Sequence, residues 1–357
     1  MTSKQFFVTL LVVSFLPVWI TAAENWYRGN THVHTALSGH GDSSPEFVAK
    51  WYHDCGYNFL ILSEHNKFID PKGVTLPEDK REDFILIPGQ EITGKPVGVD
   101  TTAMNIDGLI DWTNKETDSK GYVIQDHIRK TVDAGGQPIL NHPHGGSSIT
   151  SEDIRLVRDF HMMELYNANT KRNNLFKRRY LNLPLTSENI WDDLLTEGRR
   201  VYGVGSDDAH MFLKVGPNET NAGLGWVMVR SDRLDPDSIT DAMKRGDFYA
   251  SNGIMLKTCK RGPKLYVVEV DVEKTRDLVS ILPEWAGLET REAKTGYRIE
   301  FIGPGGKTLQ ATNGPEDSYS LKKLDTYARV RVVFTRKKGN VMYEEFFAWG
   351  QPVFSGN

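Results

Sequence analysis

The sequence predicts a mixed α/β fold up to about residue 255, followed by a small antiparallel β-sandwich. From Trp26 onward, short β-rich runs alternate with amphipathic helical stretches, a pattern typical of parallel strands joined by crossover helices. After Asn252 and Gly253 the runs alternate with period two and are separated by turn residues. A chain of 357 residues is long enough for one large and one smaller domain. The first part is therefore predicted to be an α/β barrel or a layered α/β fold.

The first residues have the features of an export signal. Lys4 precedes the apolar run FFVTLLVVSFLPVWI, and the small residues of TAA are suited to cleavage before Glu24. The run is shorter than the roughly 20 apolar residues that a membrane span needs. We therefore expect residues 1–23 to be a signal peptide and the protein to be exported, periplasmic or extracellular, with no stable membrane span after cleavage. A retained membrane anchor is the alternative.

The first part contains seven predicted strands with helices between them. The strands are WYRGNTHVHT, YNFLILSEH, FILIPGQEI, QPILNHP, HMMELYN, RVYGVGSDD and LGWVMVR. The helix SPEFVAKWYHDCG opens with Ser44 and Pro45, a cap followed by proline, and ends at Gly56. The helix DPDSITDAMKRGD opens with the same kind of signal and ends at Gly246. Residues 98–121 are interpreted as an insertion, either a surface excursion or a lid.

The second part is predicted to consist of strands with no convincing helix between them. The strands are KLYVVEVDVEK, GYRIEFIGPGG, YARVRVVFTRK and YEEFFAWGQPVF. Aromatic residues could line a sugar site, with core packing as the alternative; these residues are Trp226, Trp285 and Trp349. Cys55 and Cys259 are interpreted as buried small hydrophobic residues, although an oxidising compartment would permit one disulfide.

The charge balance and the absence of certain motifs exclude some classes of protein. A net charge of −4 argues against a dedicated nucleic-acid-binding protein. The basic run TKRNNLFKRRY is interpreted as a solvated helix face. The sequence contains neither a nucleophile elbow around Ser or Cys nor a phosphate-binding P-loop.

Histidines and carboxylates recur at the ends of the predicted strands. Residues i and i+2 of a strand point to the same face, so His32 and His34 can offer two imidazoles to one ion. Asp208 and His210 repeat this spacing, and the carboxyl ends of barrel strands share one rim. Such a cluster would repel itself without cations, so it predicts a metal site. The candidate ligands are His32, His34, His65, Glu91, His142, Asp208 and His210, with His40 and His144 nearby.

The types of ligand limit the metals. A set of nitrogen and oxygen ligands without thiolate suits Zn, Mn or Fe, and the order of affinities alone does not choose among them. Glu91 could bridge two ions. Asp207 lies on the alternate face of its strand and is interpreted as a supporting or structural carboxylate.

Five motifs, in this order and spacing, carry a resemblance to a known family. GNTHVHTALSGHGD, LSEHN, GQE, NHPH and GSDDAH resemble the PHP (polymerase and histidinol phosphatase) family of metal-dependent phosphoesterases. DAMKRGDFYASNG is similar to the segment that closes the domain in exported members, and AWGQPVF to the end of the small β domain that some of them carry. The resemblance implies a distorted (β/α)7 barrel over residues 24–254, with metals at its carboxyl-terminal rim, and a β-sandwich domain over residues 255–357.

The resemblance also implies which residues hold each ion. The ligands implied for a first ion are His32, His34, Glu91 and Asp208. The ligand implied for a second ion is His142. Those implied for a third ion are His65 and His210. His40 stands where many members have an aspartate, and a histidine there can still bind metal, on an ion other than the first.

One position departs from the family pattern. Members with three metals supply a further histidine between the Glu strand and the HP motif, whereas this interval here holds only His127, in a predicted helix. The position of the family's further histidine falls in KPVGVD, where Gly98 or a neighbour stands instead. His144 or Glu164 could replace the missing ligand, and a structural role is the alternative for each. The resemblance therefore implies two or three ions per chain.

Together these features predict hydrolysis of a small or oligomeric phosphate mono- or diester by a metal-activated hydroxide. His40 and His144 are candidate proton donors. Lys171 and Arg172 are candidate contacts to a substrate phosphate, with a solvated face as the alternative. Two other functions stay open: a metal-dependent hydrolase acting on another ester or an amide, and a non-catalytic exported binding protein.

Overall fold

The computed structural model describes residues 25–76, 82–143, 149–169, 186–290, 293–323, 325–340 and 342–355. The predicted signal peptide, residues 1–23, lies outside these ranges. The helices within them are α1 (Pro45–Asp54), α2 (Lys120–Asp133), α3 (Ser151–Ile154), α4 (Ser187–Thr196), α5 (Pro236–Arg245) and α6 (Val272–Ile281). None of these helices is long and apolar enough to cross a membrane.

The strands of the described residues are numbered in chain order. Those before residue 255 are β1 (Asn25–Asn30), β2 (Phe59–Ile61), β3 (Ile85–Ile87), β4 (Gly89–Gly94), β5 (Val99–Met104), β6 (Gln137–Leu140), β7 (Met162–Asn167), β8 (Tyr202–Ser206), β9 (Trp226–Ser231) and β10 (Phe248–Ser251). Those after it are β11 (Leu256–Arg261), β12 (Leu265–Val270), β13 (Leu288–Thr290), β14 (Gly296–Gly303), β15 (Lys307–Asn313), β16 (Glu316–Ser320), β17 (Tyr327–Lys338) and β18 (Met342–Phe354).

These strands form three sheets. The largest has the order β15-β14-β17-β18-β10-β9-β1-β2-β3, and β13 also pairs with β18. The second has the order β4-β5-β6-β7-β8, and the third the order β11-β12-β16. Because β10 pairs with β18, hydrogen bonds of the largest sheet cross the predicted domain boundary between residues 254 and 255.

Among the described residues neither large sheet closes on itself, so the predicted seven-stranded barrel is not formed by these hydrogen bonds. The strands β1, β2 and β3 are parallel, as are β6, β7 and β8. The other edge of β1 pairs antiparallel with β9, however, and β5 pairs antiparallel with both β4 and β6. The mixed α/β class is confirmed. Alternating strands and helices identify the elements but leave their pairing partners undetermined.

The predicted ends of two helices are confirmed. Ser44 accepts a hydrogen bond from the Phe47 N–H at the start of α1, and Asp235 accepts one from the Ser238 N–H at the start of α5. In both helices the next residue is proline, which needs no hydrogen-bond acceptor there. Helix α5 ends at Gly246, whose φ of 75° is a left-handed conformation that glycine adopts without strain.

The interpretation of residues 98–121 as an insertion is wrong for its first part. Val99–Met104 forms β5, and all six of its residues are buried between β4 and β6. A strand buried on both faces does not show the period-two alternation by which half-buried strands are recognised. The segment VDTTAM contains adjacent polar residues at its centre, so no strand was predicted there.

The second part is mainly antiparallel strands, but it also contains helix α6, which was not predicted. Asp271 follows the run LYVVEV and begins this helix, since its side chain accepts a hydrogen bond from the Lys274 N–H. Across the two sheets, the Phe301 ring of β14 lies 5.8 Å from the Tyr266 ring of β12 and 5.4 Å from the Tyr319 ring of β16. These aromatic contacts hold the small sheet against the large one.

The core accounts for most of the aromatic and sulfur residues singled out in the sequence. Trp226 and Trp349 are fully buried, and Trp285 is partly buried. Cys259 is buried, but Cys55 is exposed at the end of α1, and both are free thiols. The interpretation of Cys55 as a buried residue is therefore wrong, because it lies at the exposed cap where the helix ends.

Candidate metal centre

Two single bridges bring the strand ends of the two large sheets together. Val33, just after β1, forms a parallel bridge with Ala209, just after β8. The His34 N–H donates to the Ala209 carbonyl at 2.9 Å, and the Asp208 N–H donates to the His32 carbonyl at 2.9 Å. The residues on either side of the bridge therefore point to one side of the two segments. They are His32, His34, Asp208 and His210.

The second bridge joins the end of β2 to β4. His65 pairs with Glu91 in a parallel bridge. The Glu91 N–H donates to the Glu64 carbonyl at 3.0 Å, and the Asn66 N–H donates to the Glu91 carbonyl at 2.8 Å. Glu91 is thereby fixed at the rim that the first bridge also faces.

The first set of candidate ligands consists of His32, His34, Glu91 and Asp208, all buried. The Nε2 atoms of the two histidines are 3.1 Å apart, and Asp208 Oδ1 lies 3.5 Å and 3.4 Å from them. Glu91 Oε1 lies 3.2 Å from His32 Nε2. Around a tetrahedral ion with bonds of about 2.0–2.1 Å, neighbouring ligand atoms are about 3.3 Å apart. His32, His34 and Glu91 are therefore close enough to hold one small divalent cation, and Asp208 lies close to both of these histidines.

Glu164 determines which nitrogen of His32 faces this set. His32 Nδ1 donates to Glu164 Oε1 at 2.8 Å, so Nε2 of the neutral ring carries a lone pair. That lone pair faces carboxylate oxygens of Glu91 and Asp208, and a cation would remove the repulsion between them. Burial alone would lower the pKa of His32, but Asp208, Glu91 and Glu164 together hold it well above its usual value. Either a proton or a metal ion is thus favoured at Nε2.

A second set of nitrogen ligands comes from His34, His65 and His210, which are close enough to share an ion. His210 Nδ1 donates to the Asp208 carbonyl at 3.0 Å, so its Nε2 carries a lone pair. This Nε2 is buried and has no hydrogen-bond partner among the described residues. Burial lowers the pKa of His210 to about 4, which keeps the ring neutral and able to bind metal. His40 is exposed at this end of the cluster, with its Nε2 3.3 Å from His65 Nε2.

Asp100 completes a third set that the sequence did not reveal. Glu91, Asp100 and His142 are close enough to hold an ion together. His142 Nε2 lies 3.4 Å from Glu91 Oε1 and 3.8 Å from Asp100 Oδ2. Asp100 ends the segment KPVGVD, which contains no histidine, and it offers a carboxylate oxygen there. Only the pairing of β5 between β4 and β6 could have indicated it.

Glu91 lies between all three sets. Its Oε1 is 3.2 Å from His32 Nε2 and 3.4 Å from His142 Nε2. Its Oε2 is 2.6 Å from His65 Nδ1 and 3.5 Å from His34 Nε2. Burial would raise the pKa of Glu91, but His32 and His65 hold it well below its usual value. Its two ionised oxygens are therefore placed to serve different ions.

Two candidate ligands have a left-handed backbone, with φ of 25° at His142 and 49° at Asp208. Such a conformation costs non-glycine residues about 1–3 kcal/mol and is found most often at functional sites. Hydrogen bonds hold both residues in place. The His142 N–H donates to Glu164 Oε2 at 2.6 Å, and Asn167 Nδ2 donates to Asp208 Oδ2 at 3.2 Å.

Asp207 supports the rim without facing the cluster, as its place on the alternate face indicates. Its carboxylate accepts a hydrogen bond from Tyr52 Oη at 2.7 Å and one from Asn30 Nδ2 at 2.7 Å. It also accepts hydrogen bonds from the backbone N–H groups of Gly223, Leu224 and Gly225. Asp207 thus anchors the loop that follows the candidate ligands.

The remaining predicted residues fall outside the described ranges, lie away from the cluster or support it through hydrogen bonds. His144, Lys171 and Arg172 belong to segments that are not described. His127 is buried in α2 with its Nδ1 3.2 Å from Thr101 Oγ1, in agreement with its prediction as a helix residue. Glu164 holds His32 and His142 through hydrogen bonds, so it supports two candidate ligands.

The fold and the site define a mixed α/β protein with a buried cluster that could hold divalent cations. No protein family and no curated protein matches this sequence. Among solved structures, the chain is similar to a two-domain protein from Bacteroides vulgatus that contains a predicted PHP-like metal-dependent phosphoesterase. The two chains are 14% identical with a TM-score of 0.44, over 91% of this chain and 95% of the other. At this level of similarity, assignment of a function rests on the residues of this chain.

Proposed function

We propose that this protein is a metal-dependent phosphoesterase that hydrolyses a phosphate mono- or diester. The observation that carries the proposal is the position of Glu91, whose two oxygens lie within 3.5 Å of four histidine nitrogens from three ligand sets. A carboxylate shared in this way keeps neighbouring cations close together. Paired cations are the common means of binding both oxygens of an in-line phosphoryl displacement.

The residues present fit divalent cations. The ligand atoms are imidazole nitrogens and carboxylate oxygens, and the buried His210 Nε2 lacks a hydrogen-bond donor among the described residues. Divalent cations bound here would supply Lewis acidity and lower the pKa of bound water. Zn, Mn and Fe all suit this ligand chemistry.

The charges of the cluster favour an anionic substrate over a neutral one. The candidate ligands include three carboxylates, from Glu91, Asp100 and Asp208, while the imidazoles are neutral when they bind metal. With Glu164, which is hydrogen-bonded to His32 and ionised, the carboxylates carry four negative charges, so three divalent cations would make the centre positive. A positive, buried centre attracts a phosphate ester more strongly than an uncharged amide or acyl ester.

The chain also offers groups that could hold or move a proton near the cluster. His40 is exposed and its ring stacks on those of His65 and His210, at 5.0 Å and 4.5 Å between centroids. We assign it to the set of His65 and His210, and keep proton donation as its alternative role. His144 as a proton donor, and Lys171 and Arg172 as contacts to the substrate phosphate, remain part of the proposal.

The test is hydrolysis of p-nitrophenyl phosphate and bis-p-nitrophenyl phosphate by purified protein after addition of Mn or Zn. We expect metal-dependent turnover of at least one ester, and its loss in the double variant His32→Ala, His34→Ala. The variant His161→Ala, which removes a histidine outside the cluster, should keep the activity. Absence of turnover on both esters would contradict the proposal, and cleavage of an acyl ester alone would favour a hydrolase acting on another bond.

A further inference from the structure

A cavity lined by residues other than the candidate metal ligands is not used by the proposed function. It has a volume of about 460 Å³, within the roughly 300–1,000 Å³ typical of small-molecule sites. Its walls come from helix α1, the loop between β8 and β9, and the segment from α6 to Trp285. None of the candidate metal ligands lines it.

The walls of this cavity are mainly apolar and aromatic. Trp51, Phe212, Leu278 and Trp285 are among the lining residues. Two more apolar lining residues face solvent, Val215 with 67% and Ile281 with 78% of its surface exposed. Large apolar side chains exposed together beside a cavity are typical of binding sites.

The cationic side chain among the described residues that line the cavity is Arg28. Its guanidinium lies between the Tyr57 and Trp226 rings, 4.1 Å and 3.9 Å from their centroids, and Nη2 donates to Tyr57 Oη at 3.1 Å. Its Nε is buried and has no hydrogen-bond partner among the described residues. The acidic lining residue, Asp54, already pairs with Lys50. Among the described residues, no carboxylate forms an ion pair with the Arg28 guanidinium, whose contacts are the two rings and Tyr57 Oη.

We propose that this cavity binds a small hydrophobic carboxylate. The apolar body of such a ligand would pack against the aromatic walls, and its carboxylate would pair with Arg28. Burial of apolar surface favours the body of the ligand, and a charge-assisted hydrogen bond to a guanidinium favours its acid group. Because the cavity and the metal centre share no residue, this proposal can fail or hold independently of the proposed function.

The experiment compares octanoate with the uncharged 1-octanol by isothermal titration of the metal-free full chain. We expect octanoate to bind about tenfold more tightly, the effect of one hydrogen bond to a charged group. Leu278→Trp should fill the cavity and abolish binding, while Val272→Trp, on the same helix but outside the lining, should leave it unchanged. Arg28→Gln should make the affinities for the two compounds equal.

Other outcomes would overturn the proposal. The variant His32→Ala, His34→Ala must keep octanoate binding, because its loss would place the carboxylate at the histidine cluster instead of the cavity. Equal affinity of the wild-type protein for octanoate and 1-octanol, or unchanged binding in Leu278→Trp, contradicts the role of Arg28 and of the cavity. A dimer in light scattering whose formation blocks octanoate binding would make a second copy of the chain the occupant.

Discussion

At the scale of single residues, Glu164 supports the candidate metal centre without belonging to a ligand set. Its Oε1 accepts a hydrogen bond from His32 Nδ1, and its Oε2 accepts hydrogen bonds from the His142 N–H and from Asn167 Nδ2. A carboxylate behind a metal-binding histidine fixes the ring and raises its basicity. The affinity of the centre should therefore depend on Glu164.

Glu164→Gln should weaken binding of the tightest metal ion by about 10–100-fold, the usual effect of removing such a partner. The amide keeps the size of the side chain, but it cannot accept hydrogen bonds from His32 and His142 at both of its ends. Competition with a chromogenic chelator measures the affinity. Glu152→Gln, at a side chain that is 69% exposed, is the matched control and should have no effect. Equal affinities of both variants would contradict the role of Glu164.

Asp100→Asn should reduce the number of bound ions by one. The carboxylate oxygen near His142 Nε2 becomes part of a neutral amide, which is a much weaker ligand for a divalent cation. Ions per chain are counted by elemental analysis after dialysis against Mn or Zn. Asp133→Asn, at an exposed side chain, serves as the control. An unchanged count in Asp100→Asn would exclude this residue as a ligand.

The sequence indicated most of the candidate cluster, because same-face pairs such as His32 and His34 are a local property of strands. Asp100 was missed because its approach to His142 depends on a strand that pairs between β4 and β6. An aspartate without a nearby histidine in the sequence gives no sign of metal binding. To predict Asp100 as a ligand, one must know which distant strands pair, and local sequence patterns do not show this.

At the scale of elements, helix α4 is joined to strand β17 by buried ion pairs. Arg329 donates from Nη2 to Glu188 at 2.9 Å and to Asp192 at 2.7 Å. Arg331 Nη1 lies 3.1 Å from Glu188, and Trp349 Nε1 donates to Glu188 Oε1 at 3.0 Å. Removing one partner of a buried ion pair leaves an uncompensated charge. This contact therefore links the first part of the chain firmly to the second.

The link should weaken in acid. Burial would raise the pKa of Glu188, but Arg331, Arg329 and Trp349 lower it to about 2. Because this pKa is below the unfolded value, the stabilisation is complete above about pH 4.5 and is lost as the pH falls toward 2. With about 1.4 kcal/mol for each pKa unit, the ionised group contributes about 3 kcal/mol.

Glu188→Gln should accordingly lower the free energy of unfolding by about 3 kcal/mol at neutral pH, with the difference shrinking between pH 4.5 and 2. Urea unfolding at a series of pH values measures it. Glu116→Gln, at an exposed position, should match the wild type throughout. A difference from the wild type that is the same at every pH would show that ionisation of Glu188 is not its cause.

Sequence patterns predicted helices better than they predicted sheets. The caps of α1 and α5 were visible because a side chain and an N–H three residues away decide them. The order of the strands was not visible, since β9 could close a barrel or extend the sheet toward β18 with the same sequence pattern. Helix α6 was missed because its first residues continue the strand-like run before Asp271.

At the scale of the whole molecule, the candidate centre couples stability to metal. Its ligands come from strand ends of both large sheets, which meet there through two single bridges. A cation that binds the native chain alone stabilises it by about 2.7 kcal/mol for each site at a concentration of 100 times Kd. A bound cation should therefore reduce the repulsion between the carboxylates of the cluster. It should also hold the two large sheets together, since both contribute ligands.

Addition of Mn or Zn to the metal-free protein should raise the Tm by several degrees, and a chelator should reverse the change. Differential scanning calorimetry measures it. The double variant His32→Ala, His34→Ala should show a much smaller increase. An equal increase in the wild type and in this variant would mean that the cation binds elsewhere.

The most direct test of the central claim is the number of metal ions bound per chain, measured by elemental analysis of the purified protein after dialysis against Mn or Zn. The candidate groups of ligands share residues such as His34, Glu91 and His142, so we expect two or three ions per wild-type chain and fewer in the double variant His32→Ala, His34→Ala. A wild-type protein that holds less than one ion per chain, or a double variant that holds as many ions as the wild type, would contradict the assignment of this cluster as a metal centre.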